Sequence, residues 1–317
     1  MDALSPLPAT IPVLREAELR RLIPVERALE IIREAYREYG ELRHVLSSPP
    51  AMELRAGDNV FKLKGGLAAG RGIAGFRLIG MNSRGVTSHC LLLDAGSGAL
   101  LAAVEESWLH RLRTAATAAV AATWLARGDA HRLAIIGTGR IARELPAAFC
   151  QAMPQIDDTR VWGRSPDSAG HVAAQYSDGR GVRSVADLAR AVDGADIIVA
   201  VTSATSPVLM AEHFAPGVTL IGLGGGPELD LSILDCADRF IVDDIEFATE
   251  LGSAAGWITS GRSRDAIAAR LTADIGEIAI GRKSGRTDDA ERVCALIQGM
   301  ASCDVALAAA AFGAAGA

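Results

Sequence analysis

At 317 residues, half of them apolar and 22% charged, the chain has room for two ordinary domains and the make-up of a soluble globular protein. A net charge of −6, a pI near 5.6 and only 4% aromatic residues argue against nucleic-acid binding, which needs a basic footprint or stacking platforms. No apolar run reaches the ~18 residues of a membrane span, and the opening stretch MDALSPLPATIPVL lacks the basic region of a secretory signal.

In chain order, residues 16–41 read as an amphipathic helix broken near Pro24, with Leu29, Ile31, Ile32 and Tyr36 at helical spacing. Three extended segments follow: NVFKLKGG, IAGFRLIGMN and HCLLLDAGSGALLAAVEES. The last carries a DAGSG turn between two apolar runs and predicts a hairpin. WLHRLRTAATAAVAATWLA predicts a long alanine-rich helix with no internal Gly or Pro. From residue 131 the texture changes to alternating strands and helices. RLAIIG (132–137), TRVWG (159–163), GVRSV (181–185), DIIVAVT (196–202), TLIGLG (219–224) and RFIVDD (239–244) predict six strands, with RIARELPAAFCQAM and ADLARAVDGA as helices between them. Near-continuous apolar strands alternating with helices imply a parallel sheet covered on both faces. The expected class is α/β: a Rossmann-type doubly wound parallel sheet, joined to a second α+β domain. The tail from about residue 291 is expected to form one more helix that returns to the first domain.

Five scattered cysteines (Cys90, Cys150, Cys236, Cys294 and Cys303), with no CxxC pair, read as buried thiols in a reducing compartment, which predicts a cytoplasmic protein. Six isolated histidines include no HExxH pattern, so no metal site is expected. The stretch IIGTGRIA carries Gly137, Gly139 and Ala142 as GxGxxA, after a predicted strand and at the opening of a predicted helix. In that context the first Gly makes the tight turn, the second admits a pyrophosphate to the backbone, and the small third residue lets helix and strand pack closely. The helix N-terminus would then offer free N–H groups to phosphate. The second strand ends VWGRSP, with Gly163, Arg164 and Ser165 and no acid to accept from ribose hydroxyls. An arginine there suits a 2′-phosphate, so NAD(P)H is the expected cofactor with NADP preferred, a solvated loop arginine being the plainer alternative. Further cofactor contacts are expected from Thr138, Arg140 and Ile141 of the loop, from Val201, Thr202 and Ser203 after the fourth strand, and from Gly222 and Leu223 of the fifth.

RTAATAAVAATWLAR ahead of IIGTGRIA, the SHCLLLDAGSGALLA hairpin, VTSATSPVL and the tail DIGEIAIGRKSGRTDD…GMASCDVALAA together resemble the ornithine cyclodeaminase/μ-crystallin family over nearly the whole chain. The resemblance implies a substrate-binding and dimerisation domain from residues 1–112 plus 291–317, an NAD(P)-binding Rossmann domain from residues 113–290, and a homodimer. It implies hydride exchange between a nicotinamide and the α-carbon of a small amino or imino acid. On the same basis Arg113 of LRTAA matches the arginine that grips the substrate carboxylate, Thr114 beside it is a cofactor contact, and Asp304 of GMASCDVA matches an aspartate near the cofactor end of the last helix. A helix-face position and a site role are both open for Asp304. Where the family carries a catalytic lysine in GxK, this chain reads GFR, so Arg77 stands in its place. It reads PPA at residues 49–51, where a further arginine often follows proline. The loop aspartate of the cyclodeaminases is lost near Gly225 of GLGGGPELD. Arginine stays protonated and is a poor general acid or base, so ornithine cyclodeamination is not expected.

Of 32 basic residues only Lys62, Lys64 and Lys283 are lysines, and the first two share one face of a strand ahead of a Gly–Gly pair. The plain reading is a strand edge protected by charge. The other assigns acid–base work to Lys64, since burial beside Arg77 and Arg113 would lower its pKa. His89 and His110 are read as core or surface histidines, and Trp108 and Trp124 as packing between domains. The expected activity is NAD(P)H-dependent reduction of an imino or 2-oxo acid, or the reverse dehydrogenation of an amino acid, with Lys64, Arg77 and Arg113 as the catalytic set. A non-catalytic, nucleotide-dependent ligand-binding protein of μ-crystallin type is the alternative, and an amino-acid cyclodeaminase comes third.

Overall fold

A computed structural model describes residues 10–42, 45–176 and 181–316; residues 1–9, part of the stretch read for a signal, lie outside these. The chain divides into two compact units, Met1–Arg113 with Met300–Ala317, and Thr114–Gly299.

The first unit is built on six strands, β1 (Val13–Leu14), β2 (Met52–Ala56), β3 (Asn59–Ala68), β4 (Ile73–Asn82), β5 (Gly85–Asp94) and β6 (Leu100–Glu105), in the order β1-β6-β5-β4-β3-β2. All neighbours are antiparallel except β1 and β6. The N-terminal helix is split at Pro24 into Glu16–Leu22 and Val25–Leu42, as proline's missing N–H requires. The DAGSG hairpin turn closes on Asp94, whose carboxylate accepts from the Ser97 N–H at 2.7 Å and hydroxyl at 2.6 Å. The last helix, Ala301–Ala314, is buried from Ala301 to Ala311 against β3, β4 and β5. Two glycines permit that approach. A Cβ at Gly66 would lie 2.5 Å from the Ser302 backbone nitrogen, and one at Gly75 would lie 2.8 Å from Val305 Cγ2. The second Gly of KGG is therefore where helix backbone meets strand backbone. Trp108 packs within this unit, with the Arg20 guanidinium 4.6 Å above its ring.

The second unit holds eight parallel strands: β7 (Arg132–Ile136), β8 (Asp158–Trp162), β9 (Val182–Ser184), β10 (Ile197–Ala200), β11 (Thr219–Gly222), β12 (Arg239–Val242), β13 (Leu271–Asp274) and β14 (Val293–Leu296). Their order is β13-β12-β14-β11-β10-β7-β8-β9, so the chain winds outward from β7 to β9 and then returns to the other side of β7 at β10. The doubly wound α/β reading holds, with the switch point between β7 and β10. Two expectations are corrected. The tail is not a single helix: Val293–Leu296 is a strand inserted between β11 and β12, and the helix starts only at Ala301. A short, wholly apolar run buried on both faces has no period by which to tell strand from helix. The helix after the glycine loop also opens late. Ile141–Glu144 form a turn, with the Glu144 N–H donating to the Ile141 carbonyl at 2.9 Å, and regular helix runs from Leu145 with Pro146 in its first turn. Among the described residues no helix is long and apolar enough to cross a membrane, and no group of three or more His, Cys, Asp or Glu could hold a metal. All five cysteines are free thiols.

Candidate active site

Three elements of the first unit converge on one buried polar cluster. In the sheet, Lys64 of β3 is the register partner of Arg77 of β4, which in turn faces Cys90 of β5. Side chains directly opposite in a ladder share a face, and Lys64 and Arg77 are only 6% and 5% exposed. The second element is the helix Ser107–Leu125, from whose entry Glu106, His110 and Arg113 fall at i, i+4 and i+7 on one face. The third is the first turn of the last helix, which presents Asp304.

The hydrogen bonds fix each group. Arg113 Nε donates to Asp304 Oδ1 at 2.6 Å and Arg113 Nη2 donates to His110 Nδ1 at 2.9 Å, while Nη1 is buried with no partner among the described residues. Arg77 Nε donates to Glu106 Oε2 and, at 3.2 Å, to Ser88 Oγ; the Ser88 hydroxyl in turn donates to Glu106 Oε2 at 2.5 Å. Glu106 Oε1 and Asp304 Oδ2 are likewise buried with no partner among the described residues. Burial would raise Asp304, but Arg113, Arg77 and His110 outweigh it and hold the carboxyl well below its usual range. Glu106 goes the other way: burial, helped by Asp304, prevails over Arg77 and Ser88 and pushes it up to about 7. Desolvation and the two guanidiniums push His110 down to about 3, so its imidazole is neutral and can accept from Arg113. Burial, with Glu106 and Asp304, raises Cys90 well above a usual thiol, which excludes a thiolate nucleophile there.

The structure thus brings Arg77, Arg113 and His110 together around Asp304, with Lys64 buried and registered against Arg77, and it gives the two lysines different surroundings. Lys62 pairs with Glu53 at 3.2 Å with 29% of its side chain exposed, a charge at the sheet edge. His89 is exposed on the opposite face. His110, expected to be inert, is wired to Arg113. Glu106 and Ser88 were missed; the signal for Glu106 was its spacing of seven from Arg113, one acid on the same helix face.

In the second unit the expected cofactor residues lie after or at the ends of four neighbouring strands: Gly137, Thr138, Gly139, Arg140 and Ile141 after β7, Gly163, Arg164 and Ser165 after β8, Val201, Thr202 and Ser203 after β10, and Gly222 and Leu223 at the end of β11. This is the crevice outside the carboxyl ends of the strands at the switch point. Gly137 has φ +134°, and a Cβ there would lie 2.3 Å from the Val201 carbonyl oxygen, so only glycine fits. A Cβ at Gly139 would meet nothing within 4 Å, so the backbone there is open to approach. Gly163 makes room for Thr138, whose methyl would otherwise sit 2.6 Å from a Cβ. These residues fit a dinucleotide. Arg164 is exposed, Ser165 caps the following helix by accepting from the Ser168 N–H at 3.2 Å, and Gly222 and Leu223 are buried. Thr114 is also buried, as the first residue of this unit. Thr202 is held by Glu228, whose Oε2 accepts from its N–H at 2.7 Å and its hydroxyl at 2.8 Å, while Oε1 accepts from the Gly224 N–H at 2.9 Å. Glu228, unforeseen, ties the loops after β10 and β11 together.

The profile of the ornithine cyclodeaminase/mu-crystallin family matches residues 12–315. A Δ(1)-pyrroline-2-carboxylate reductase of Bacillus cereus is 28% identical over 311 residues, covering 93% of this chain and 94% of that one. An alanine dehydrogenase of Archaeoglobus fulgidus is 28% identical over 308 residues, covering 93% and 92%. Among solved structures, the iminosuccinate reductase of Paracoccus denitrificans in complex with NAD+ superposes with a TM-score of 0.84 at 26% identity, covering 96% of each chain.

Proposed function

The chain belongs to the ornithine cyclodeaminase/mu-crystallin family, and on that premise we propose that it is an NAD(P)H-dependent oxidoreductase that reduces an imino or 2-oxo acid, or dehydrogenates the corresponding amino acid. The observation that carries this reading is Arg113: fully buried, its guanidinium anchored on Asp304 and His110, with Nη1 left to offer. A buried guanidinium aimed this way is suited to a carboxylate. Bound in the crevice of the second unit, the cofactor supplies or accepts a hydride. Arg113 holds the substrate carboxylate and Arg77 adds positive charge beside it. Lys64 gives the proton that completes the amine, a task for which arginine is unsuited. The test is NADPH and NADH oxidation with cyclic imines, and with 2-oxo acids plus ammonium or methylamine. Turnover of ornithine to proline and ammonia, with no imine reduction, would overturn the reading in favour of a cyclodeaminase. Cofactor binding with no turnover on the whole panel would favour a ligand-binding protein.

NADPH is the preferred cofactor in this reading, because Arg164 stands exposed where an NAD site carries an acid. Arg164→Asp is expected to weaken NADPH binding by roughly tenfold or more, as loss of a charge-assisted pair does, and to leave NADH binding the same or tighter. Equal affinities for the two cofactors, unmoved by the substitution, would sink the preference. A homodimer is supported by the outer face of the six-stranded sheet, where Met52, Leu54, Phe61, Phe76 and Leu78 are exposed together, Leu54 directly across from Phe61. Light scattering reads that state directly. Five free thiols suit a reducing, cytoplasmic setting.

A further inference from the structure

In the second unit, Glu228 is a buried carboxylate with no counter-ion among the described residues. It is 1% exposed, and its side chain is held by three neutral donors: Oε2 accepts from the Thr202 N–H and hydroxyl, and Oε1 from the Gly224 N–H. Only the ionised form can accept from all three, since a proton on either oxygen would face another donor. Burial sets its pKa above the ordinary value against the pull of these bonds, and no charged group shares in the shift. Buried charges are as a rule paired, so a carboxylate held in this way is completed by a cation that binds near it.

Its place in the fold says which cation. A doubly wound sheet of this kind binds a dinucleotide as two mononucleotide halves, with the glycine loop after β7 and the residues after β8 serving the pyrophosphate and the adenosine side. Thr202 and Gly224 follow β10 and β11, which begin the other half, and that half is left for the nicotinamide. We propose that Glu228 supplies the negative charge of the nicotinamide half, and that it stabilises the oxidised ring, a cation, relative to the reduced ring, which is neutral. This rests on the proposed function and gives its cofactor site a preferred direction.

The carboxylate is fixed where it stands. A Cβ at Gly224 would lie 2.4 Å from Glu228 Oε1, so a glycine is what lets the loop backbone close on it. The Gly224 carbonyl accepts in turn from Gln298 Nε2, which clamps that residue from its other side. The backbone carbonyl of Glu228 accepts from the Val208 and Leu209 N–H groups at 2.9 and 3.1 Å. A charge that cannot swing away costs no reorganisation when charge develops near it. Loss of a hydride, one hydrogen with two electrons, takes the nicotinamide from neutral to singly positive. Glu228 touches no reacting atom and acts through its field, which is screened less in a buried site than in water. By favouring the oxidised ring it makes the bound reduced cofactor a stronger hydride donor, so the site leans toward reduction of the imino or 2-oxo acid.

The test is calorimetric titration of the full chain at about pH 8 with three ligands: NAD+, NADH and benzamide adenine dinucleotide, in which a neutral benzene ring replaces the pyridinium. None carries a 2′-phosphate, so Arg164 acts on all three alike. NAD+ is expected to bind roughly fivefold or more tightly than the benzamide analogue, as a unit charge felt through a partly screened interior requires. In Glu228→Gln that ratio should fall to within about twofold, and the NAD+ to NADH affinity ratio should drop by the same factor. A residue that only braced the two loops would weaken all three ligands together and leave both ratios where they were, which would overturn the inference. A parent ratio near one between NAD+ and the analogue overturns it too and leaves the proposed function standing. Binding of none of the three, nor of NADP+ or NADPH, overturns the proposed function as well. Should Glu228→Gln fail to fold, the parent decides: a ratio of about fivefold or more upholds the charge, and a ratio near one removes it.

Discussion

Lys64→Arg is expected to keep the fold, the charge and the cofactor affinity while lowering turnover by ~10²–10⁴-fold, the usual contribution of a positioned acid or base. Lys64 is 6% exposed and registered against Arg77 on the neighbouring strand. An arginine there would be a second guanidinium beside Arg77, protonated throughout the physiological range, and would hold its proton when the substrate nitrogen needs it. Lys62→Arg is the control. Its side chain is 29% exposed and paired with Glu53, a contact arginine can keep, so the change should be nearly silent. Steady-state kinetics across pH, with thermal melts to exclude a packing defect, separate the two positions. If Lys64→Arg turns over like the parent, the two lysines are only a charged strand face and the proton comes from water or from Glu106.

The strand–helix alternation is legible in the sequence wherever an apolar run is bounded by Gly or a polar cluster. RLAIIG, TRVWG, GVRSV, DIIVAVT, TLIGLG and RFIVDD all became strands of the parallel sheet. Hidden from it are short strands whose own residues carry no strand period. Leu271–Asp274 follows the helix Arg264–Ala268 almost without a break, and Val293–Leu296 is a four-residue apolar run buried throughout. The candidate site shows the same division. Arg113 and the glycine loop are readable because the roles proposed for them demand particular residue types in a fixed local pattern. Glu106 is not, because its significance lies in partners from β4 and β5 that only the folded sheet brings to it. His110 is undervalued for the same reason: a lone histidine carries no signal until Arg113 is found 2.9 Å from Nδ1. Glu228 lies within the shortened loop that has lost its aspartate, and its task is to join two loops through backbone N–H groups, which leaves no residue pattern to read.

Asp304→Ala is expected to destabilise the protein by about 3–5 kcal/mol, the cost of leaving a buried charge without its counter-ion. The last helix lies close enough to β3 and β4 to need Gly66 and Gly75, so the space around Asp304 cannot relax to admit much water. Arg113 is 1% exposed and would keep only the neutral His110 as an acceptor. Asp304→Asn retains the volume and one acceptor oxygen, and should cost less. The pH dependence gives the sign. Asp304 is held well below its ordinary range in the folded chain, so its contribution is complete above the unfolded carboxyl value of about 3.9 and is lost as pH falls through the depressed one. Urea midpoints of parent and variant should therefore differ fully at pH 7 and converge only in strong acid. A carboxylate ligand such as L-lactate should recover part of the loss in Asp304→Ala, since it brings Arg113 the anion the substitution removed. A variant as stable as the parent at pH 7, and indifferent to lactate, would mean that Arg113 does not depend on Asp304, and the carboxylate grip would lose the anchor on which its geometry rests.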